Sequence, residues 1–244
     1  MSEQKIHKQK EMQYLTSELE AVRKLPDVYI GALGNRGLMN MYREIIQNSL
    51  DEIIKGNTLD MNIIVSVDTR NYTFIIEDFG QGINLSDLEK VFSVLHSSTN
   101  YDKKEGSGEY SSGKNGMGST ITNFLSKFFY VESYRMDGTA ARVEFTEGVV
   151  SKHLTSIKAN KNSKKHGLIT TFAPSDMVGD ITVEWQDLEY LTWSIVHLCK
   201  VGTRVTFNAI DKMGQKHKSI IENKDGLYGI LNGICKNSLM APIH

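Results

Sequence analysis

Hydrophobic residues recur at helical spacing between residues 38 and 55 of this chain. The apolar positions of this stripe are Met41, Ile45, Ile46, Leu50, Ile53 and Ile54. Separations of three and four residues place them on one face of an α-helix. Gly56 follows the last turn and supplies a stop signal. The pattern therefore predicts a helix over residues 38–55 with one face in the core.

β-Branched and aromatic runs predict a β-hairpin from residues 62–68 and 72–78. Further strands are predicted at residues 128–135, 140–145, 168–172 and 204–208, the last leading into a short polar hairpin. Further helices are predicted at residues 84–95, capped by Asn84 and Asp87, and at 119–125, 185–199 and 227–235. This order of elements predicts an α+β fold, in which a mixed, mostly antiparallel sheet carries helices on one face.

Two segments of the chain lack regular patterning. Residues 1–20 are polar and are interpreted as an amino-terminal arm, whereas residues 21–244 are expected to form one domain. Pro26 and Gly31 interrupt any regular element near the junction of the two, which predicts an arm that packs on a core. Residues 97–118 are polar, contain several glycines and lysines and show no periodicity, a pattern typical of functional or mobile loops.

The composition excludes several classes of protein. Of 244 residues, 40% are hydrophobic, 28 are Lys or Arg and 29 are Asp or Glu, which gives a net charge of -1. This balance supplies no general attraction to nucleic acid, so any DNA contact requires other domains. The sequence has no signal peptide and no run of ~18 apolar residues, so we expect a cytoplasmic protein without a membrane role. Cys199 and Cys235 lack CxxC companions, so we expect buried free thiols.

The predicted helix over residues 38–55 also carries polar side chains on its second face. Glu44, Asn48 and Asp51 fall in one stripe, opposite the apolar residues. Phosphoryl transfer to water needs a base that orients the water and a hard cation that neutralises the phosphates. The Glu44 carboxylate and the Asn48 amide oxygen suit these two tasks. A solvated helix face would present the same residue types.

Asp78 follows the second strand of the predicted hairpin and is succeeded by Gly80 and Gly82. The glycines let the backbone turn sharply and approach a planar ligand closely. The aspartate could then accept a hydrogen bond from an exocyclic amine, while Gly82 leaves room for a ring. An ordinary turn without a ligand is the alternative.

A glycine-rich loop over residues 113–118 precedes a predicted helix. Its backbone N–H groups and the positive end of the helix could contact phosphate oxygens. Residues 108–115 also match a P-loop, except that Asn115 replaces the Ser or Thr that holds magnesium and no apolar strand leads into the segment. A flexible loop that binds nothing is the remaining alternative.

The three motifs described above, E-x-x-x-N, D-x-G-x-G and G-x-x-G-x-G, occur in this order. The set resembles the GHKL ATPases, which include type II topoisomerases, MutL mismatch-repair proteins, large heat-shock chaperones and histidine kinases. The segments that resemble gyrase B and topoisomerase IV B (ParE-type) subunits in particular are residues 20–31, 94–96, 167–175 and 241–244. The resemblance runs from residue 14 to the end and implies a Bergerat (GHKL) ATP-binding fold with ATP and Mg²⁺ as cofactors.

The resemblance also implies roles for individual residues. Glu44 would be the general base, Asn48 the Mg²⁺ ligand and Asp78 the carboxylate that recognises adenine with the help of a bound water. The residues implied to line the nucleotide pocket are Ile45, Glu52, Ile76, Gly82, Ile83, Val91 and Thr170. Those implied to hold the phosphates are Lys114, Asn115, Gly116, Met117, Gly118 and Ser119. Tyr14 or its neighbours would reach a second copy of the chain when ATP dimerises the domain.

By this likeness the chain would be the ATPase module of a type II DNA topoisomerase, closing as an ATP-driven dimer gate during strand passage. Its partners would be a second copy of itself and, through domains not in this chain, an A-type cleavage subunit and DNA. The transducer domain, whose lysine reaches the γ-phosphate, and the metal-binding domain are absent, so we expect nucleotide binding with slow turnover and no strand passage.

Four residues depart from the bacterial pattern: Gln47, Gln81, Asn84 and Leu168 stand where aspartate, arginine, proline and threonine are usual. The differences favour a divergent family member, phage- or plasmid-encoded, with reduced susceptibility to aminocoumarin-type inhibitors.

Three other functions fit parts of the sequence. A histidine kinase would need a phosphorylated histidine on a helix pair ahead of the ATP domain, but only His7, in a short polar arm, precedes it. A MutL-like or chaperone-like clamp is disfavoured by residues 23–31, which resemble the topoisomerase group. A regulatory nucleotide-binding protein without hydrolysis is disfavoured by the presence of both Glu44 and Asn48.

Overall fold

The computed structural model describes residues 18–58, 60–95, 117–158, 166–226, 228, 229 and 231. The helices are α1 (Glu18–Lys24), α2 (Pro26–Ile30), α3 (Gly34–Lys55), α4 (Leu88–Ser93), α5 (Gly118–Phe124) and α6 (Trp185–Val196), with a 3₁₀ turn at Asp176–Val178. The strands are β1 (Asn62–Asp68), β2 (Thr73–Glu77), β3 (Ser126–Tyr134), β4 (Ala140–Thr146), β5 (Val149–Ser156), β6 (Gly167–Pro174), β7 (Arg204–Ile210) and β8 (Lys216–Glu222). Tyr14, Lys114, Asn115, Gly116, Cys235 and most of the helix predicted at residues 227–235 lie outside the described residues.

The strands form one eight-stranded sheet in the order β5-β4-β3-β6-β2-β1-β7-β8. Only the β1–β7 pair among these strands is parallel, and it starts where Asn62 lies opposite Arg204. All other neighbouring strands are antiparallel, as in the β1–β2 hairpin. The sheet is therefore mixed and mostly antiparallel, which confirms the predicted fold class.

Alternation along the central strands puts the apolar side chains on one face of the sheet. In β2, Phe74 and Ile76 are buried, whereas Ile75 between them is 39% exposed. The ring of Phe74 stacks on Phe172 of β6 at a centroid distance of 4.9 Å. The buried face packs against the helices, and α3 contributes the buried residues Leu38, Met41, Tyr42, Ile45, Ile46, Leu50 and Ile53. Burial of this interface is the main source of stability in such a layered fold.

Helix α3 is four residues longer at its start than the apolar stripe predicts, but it ends at the predicted position. Gly56 adopts a left-handed conformation (φ 76°) that terminates the helix, and its N–H donates to the carbonyl of Ile53. The middle of α3 is fixed to α6 by a buried hydrogen bond of 2.7 Å between Tyr42 Oη and Thr192 Oγ1. These contacts hold α3 firmly across the sheet.

The segment around Pro26 and Gly31 contains two short helices rather than an irregular arm. Pro26 is the first residue of α2, where its missing N–H has no cost, and Gly31 ends α2 with a φ of 77°. Arg23 of α1 donates to the carbonyl of Phe124 at 3.3 Å and to the carbonyl of Glu147 at 3.0 Å. Helix α1 thereby packs on the core, as predicted for this end of the chain.

Other predicted elements differ in extent. Helix α4 begins at Leu88 and not at Asn84, because the Asn84 carbonyl accepts the N–H of Asp87 in a turn and no side chain caps the helix. Helix α6 ends at Val196. Strand β5 was not predicted, and β8 extends the short polar hairpin into a full edge strand. Nearly all of β5 is exposed, so its sequence shows no apolar alternation that would predict a strand.

None of the helices within the described residues is long and apolar enough to cross a membrane.

Candidate functional site

The polar face of α3 is only partly open to solvent. Asn48 is exposed and Glu44 is half-buried. Asp51, predicted to lie in the same stripe, is buried instead. Its carboxylate is near Cys199, in the segment that follows α6, where burial and then this carboxylate raise the pKa of the Cys199 thiol to about 11. Cys199 is a free, partly buried cysteine.

The carboxylate of Glu44 lies against Gly118, the first residue of α5. A β-carbon at position 118 would come within 2.5 Å of Glu44 Cδ and 2.8 Å of Glu44 Cγ. Burial raises the pKa of Glu44 above its usual 4.5, the Arg43 guanidinium lowers it, and Asp51 raises it further. A carboxylate with a raised pKa that faces a glycine backbone is suited to general-base chemistry.

Asp78 is a buried carboxylate of the predicted site, with 6% of its surface exposed. Its Oδ1 accepts the N–H of Gly80 at 2.9 Å and that of Leu168 at 3.2 Å. Its Oδ2 accepts the hydroxyl of Ser49 at 3.2 Å. Burial raises the pKa of Asp78 to about 6 although these three bonds lower it, and the Glu52 carboxylate raises it further. Because each carboxylate oxygen can accept two hydrogen bonds, Oδ2 keeps one acceptor position for a further donor.

The turn after Asp78 depends on two glycines in left-handed conformations. Gly82 has a φ of 71°, and a β-carbon there would lie 2.6 Å from the carbonyl oxygen of Tyr134. Gly167, which opens β6, has a φ of 126°, and a β-carbon there would lie 2.7 Å from the carbonyl carbon of Asp78. Both close approaches require glycine. The turn therefore passes directly over the start of β6 towards β3.

The other predicted pocket residues differ in how deeply they are buried. Ile45, Ile76 and Thr170 are buried, and Ile76 pairs with Thr170 across β2 and β6. Glu52 lies beside the turn, since a β-carbon on Gly80 would meet Glu52 Cγ at 3.0 Å. The partly buried members are Ile83, Val91, Met117 and Ser119. Direct contacts thus join β2 to β6 through Ile76 and Thr170, and α3 to the Gly80 turn through Glu52 and to α5 through Glu44.

Three residues that contact this region were not predicted from the sequence: Ser49, Ser133 and His166. Ser49 binds Asp78, as described above. The Ser133 hydroxyl is hydrogen-bonded to Ile83, and the His166 ring to the carbonyl of Gly80. The sequence did mark Ser133 as unusual, because alternation along β3 places this serine at an inward position in line with Phe129 and Val131.

The donor set fits a nucleotide with one magnesium ion. Within the described ranges, no group of three or more His, Cys, Asp or Glu side chains could hold a metal by itself. Mg²⁺ in nucleotide sites is commonly held by one or two protein oxygens, with phosphate oxygens and water completing the octahedron. The exposed amide of Asn48, one helical turn from Glu44, fits that arrangement.

Comparison with known proteins matches this region to one family. Residues 40–176, which include Glu44, Asn48 and Asp78, match the family described as "Histidine kinase-, DNA gyrase B-, and HSP90-like ATPase". The chain belongs to this ATPase family. The predicted resemblance to the GHKL ATPases is therefore confirmed.

Among its relatives in the family are the B subunits of type II topoisomerases. The chain is 34% identical over 211 residues to the DNA gyrase B protein of Campylobacter jejuni, covering 82% of this chain and 26% of that protein. It is 30% identical over 210 residues to the type 2 topoisomerase B protein of Aquifex aeolicus, covering 82% and 25%. It is 31% identical over 172 residues to the DNA topoisomerase 4 B protein of Enterococcus faecalis, covering 67% and 24%. The chain thus spans about a quarter of the length of these relatives.

A solved structure supports the fold of this family member. The crystal structure of the 43K ATPase domain of Thermus thermophilus gyrase B in complex with an aminocoumarin is similar to this chain, with a TM-score of 0.72. The similarity covers 88% of this chain and 54% of that one, at 24% sequence identity. The predicted ATP-binding fold of the gyrase B type is confirmed.

Proposed function

We propose that this chain is the ATP-binding and ATP-hydrolysing module of a type II DNA topoisomerase, which closes as an ATP-driven dimer gate during strand passage. Membership of the ATPase family and the similarity to gyrase B and topoisomerase IV B proteins support the proposal. The observation that carries it is the buried carboxylate of Asp78, which has one acceptor position left between Ser49 and the Gly80 turn.

Asp78 would recognise the adenine base of ATP. Its Oδ1 is saturated by two backbone N–H groups, so a ligand donor can bind only at Oδ2. The exocyclic amine of adenine is such a donor, whereas guanine carries a carbonyl oxygen at the same ring position and would face the carboxylate with like partial charge. Ile45, Ile76, Ile83, Val91 and Thr170 would enclose the ring, and Glu52 would lie at the edge beside Gly80.

Glu44 would act as the general base in hydrolysis. Its carboxylate would accept a proton from the attacking water as the bond to the γ-phosphorus forms and the bond to the leaving ADP oxygen breaks. Mg²⁺, when bound, neutralises charge on the phosphate oxygens. Asn48 would hold the ion through its amide oxygen, and residues 114–119 would hold the phosphates. The raised pKa of Glu44 brings its basicity closer to that required near neutral pH.

The proposed function also implies binding partners for this module. A second copy would associate when ATP binds, through the amino-terminal arm that includes Tyr14. An A-type cleavage subunit and DNA would be engaged by other parts of the enzyme, since the net charge of -1 gives this chain no general attraction to DNA. The DNA substrate implies a cytoplasmic location.

Calorimetric titration with Mg-ATP tests the site. We expect a dissociation constant between micromolar and millimolar for the wild type, and no measurable binding by Asp78→Asn. Asp225→Asn is the matched control, because Asp225 is an exposed aspartate that follows the edge strand β8. A folded wild-type chain that binds no nucleotide would refute the proposal.

Sedimentation velocity tests the dimer gate. We expect a non-hydrolysable ATP analogue to convert the chain from monomer to dimer, and Glu44→Gln to dimerise with ATP itself because hydrolysis is blocked. A chain that binds ATP and remains monomeric at high protein concentration would instead be a regulatory nucleotide-binding protein.

A further inference from the structure

The turn Gly80–Ile83 lies beyond the regular pairing of the sheet. Glu77, the last residue of β2, pairs with Ile169 of β6, and the final backbone bond of that ladder runs from the N–H of Asp78 to the carbonyl of Leu168. After this bond, β6 no longer supports the turn through backbone pairing. Whatever fixes the turn must come from side chains.

Sheet order determines where those side chains come from. β6 lies between β2 and β3, so the turn that leaves β2 must cross β6 to reach β3. The crossing point is Gly167, whose missing side chain leaves room for the backbone of Asp78. On the far side, Gly82 lies against Tyr134 of β3, the residue that pairs with Gly167.

Ser133 of β3 fixes the far end of the turn. Its side chain is completely buried. The hydroxyl accepts the N–H of Ile83 at 2.9 Å and donates to the carbonyl of Ile83 at 2.9 Å. One side chain therefore satisfies both backbone groups of Ile83, as a neighbouring strand would. This arrangement needs the glycine at position 82, because a β-carbon there would come within 3.0 Å of Ser133 Oγ.

His166 fixes the near end of the turn. Its Nδ1 lies 2.7 Å from the carbonyl oxygen of Gly80. Because a carbonyl oxygen can only accept, Nδ1 must carry the hydrogen of this bond. The N–H of the same glycine donates to Asp78 Oδ1. Gly80 is thus held on one side by the carboxylate and on the other by the imidazole.

We infer that Ser133 and His166 are positioning residues for the nucleotide base. They hold Gly80, Gly82 and Ile83 in the conformation that receives the ring, and they act through the backbone of the turn without bonding to Asp78. A site ordered in advance does not lose binding free energy to the ordering of a loop. The inference rests on the proposed function, because it assumes that this turn binds adenine.

The expected effect is a loss of affinity without a loss of chemistry. Ser133→Ala and His166→Ala should each raise the KM for ATP about tenfold, the scale of one or two lost hydrogen bonds. The kcat should stay within about twofold, because Glu44 and Asn48 lie on α3, whereas Ser133 and His166 bond to the backbone of the turn. Calorimetry should show the same fold-loss of binding affinity for ATP and for ADP, since both carry the same base and differ only in the phosphates.

A conservative variant and a matched control distinguish a positioning role in the turn from a contribution to the overall stability of the protein. His166→Asn should bind ATP within about twofold of the wild type, because an asparagine Nδ2 can occupy the place of histidine Nδ1 and donate to Gly80. Asn223→Ala should lose stability and keep the wild-type KM. Asn223 is a completely buried side chain that fixes a different loop, by bonds to Cys199 O at 2.8 Å and from Gly226 N at 2.8 Å.

The inference is overturned if folded Ser133→Ala and His166→Ala bind ATP with wild-type affinity, if His166→Asn binds as weakly as His166→Ala, or if Asn223→Ala raises the KM equally. Should Ser133→Ala fail to fold, the two His166 variants decide. A folded wild type that binds neither ATP nor ADP would refute the proposed function itself, and with it the role of both anchors.

Discussion

The carboxylate of Glu44 occupies the space in which a side chain at position 118 would begin. Gly118 opens α5, far from Glu44 along the chain, yet its α-carbon forms one wall of the pocket that holds the proposed base. The glycine therefore matters here less for backbone freedom than for the room that it leaves.

Gly118→Ala should displace Glu44 and reduce ATP hydrolysis. The added methyl group would overlap the carboxylate, so Glu44 must move, and a misplaced base loses roughly 10²-fold or more in rate. Steady-state ATPase measurements check this. Gly138→Ala is the control: Gly138 has a φ of 84° with nothing within 4 Å of the added carbon, so it should cost about 1 kcal/mol of stability and leave the rate per folded molecule unchanged. Wild-type activity in Gly118→Ala would show that Glu44 is not the general base.

Glu44→Gln should bind ATP normally and hydrolyse it roughly 10²–10³-fold more slowly, because an amide cannot accept the proton of the attacking water. The pH profile gives a second check. The base must be ionised, so wild-type kcat should fall as pH falls through the pKa of Glu44, which burial places above its usual 4.5. The residual activity of Glu44→Gln should lack this acid limb. An unchanged limb in the variant would assign it to another group.

Asn48→Ala should raise the Mg²⁺ concentration needed for half-maximal hydrolysis about tenfold, the scale of one lost contact to a charged partner. Binding of ADP measured without magnesium should stay within about twofold, since the amide contacts the ion and not the base. Asn35→Ala, at the start of α3, removes an exposed amide that bonds only to Thr182 among the described residues and should leave the magnesium titration unchanged. A normal Mg²⁺ requirement in Asn48→Ala would contradict its assignment as the ligand.

Asp78→Asn should stabilise the free protein while abolishing ATP binding. The asparagine Oδ1 can still accept from Gly80 and Leu168, and its Nδ2 can donate to Ser49, so the turn is preserved and the buried charge is removed. The difference between a pKa of about 6 in the fold and the usual 3.8 corresponds to roughly 3 kcal/mol at pH 8.

The sign of this effect follows from proton binding. Between about pH 4 and pH 6 the folded wild type holds the Asp78 proton more tightly than the unfolded chain, so its stability falls as pH rises through that window. Urea unfolding of both proteins should therefore show little difference near pH 4 and a plateau in favour of Asp78→Asn above pH 6. A variant that is less stable at pH 8 would show that the carboxylate is held by more than these bonds.

Local patterns predicted the elements whose residues alternate or recur strongly. Helix α3 and its end at Gly56, and the β1–β2 hairpin, followed from periodicity and from a glycine stop. Strand β5 did not, because an almost fully exposed edge strand is specified by its pairing with β4 and not by burial. The Asn84 cap was wrong, because the carbonyl of that residue, and not its side chain, makes the local bond.

The residues of the candidate site also fall into two groups, those that a local sequence pattern predicted and those that it did not. Glu44, Asn48 and Asp78 stand in short motifs that a sequence displays directly. Ser133 and His166 reach the turn only because β6 lies between β2 and β3, and no local pattern reports which strands are neighbours. Asp51 shares the helical face of Glu44 but is buried. The sequence could not predict this burial, because helix periodicity does not show which segment packs over a face.

The parallel pairing of β1 with β7 has a consequence for the order in which the chain can fold. β1 is an interior strand, and its second edge is completed by a strand that begins at Arg204 and is therefore synthesised after β1 to β6. Until β7 emerges, β1 exposes a row of unpaired backbone groups of the kind that recruits foreign strands. A chain truncated at residue 203 would keep all three proposed catalytic and binding residues, Glu44, Asn48 and Asp78, and would carry them on a sheet with an open, aggregation-prone edge.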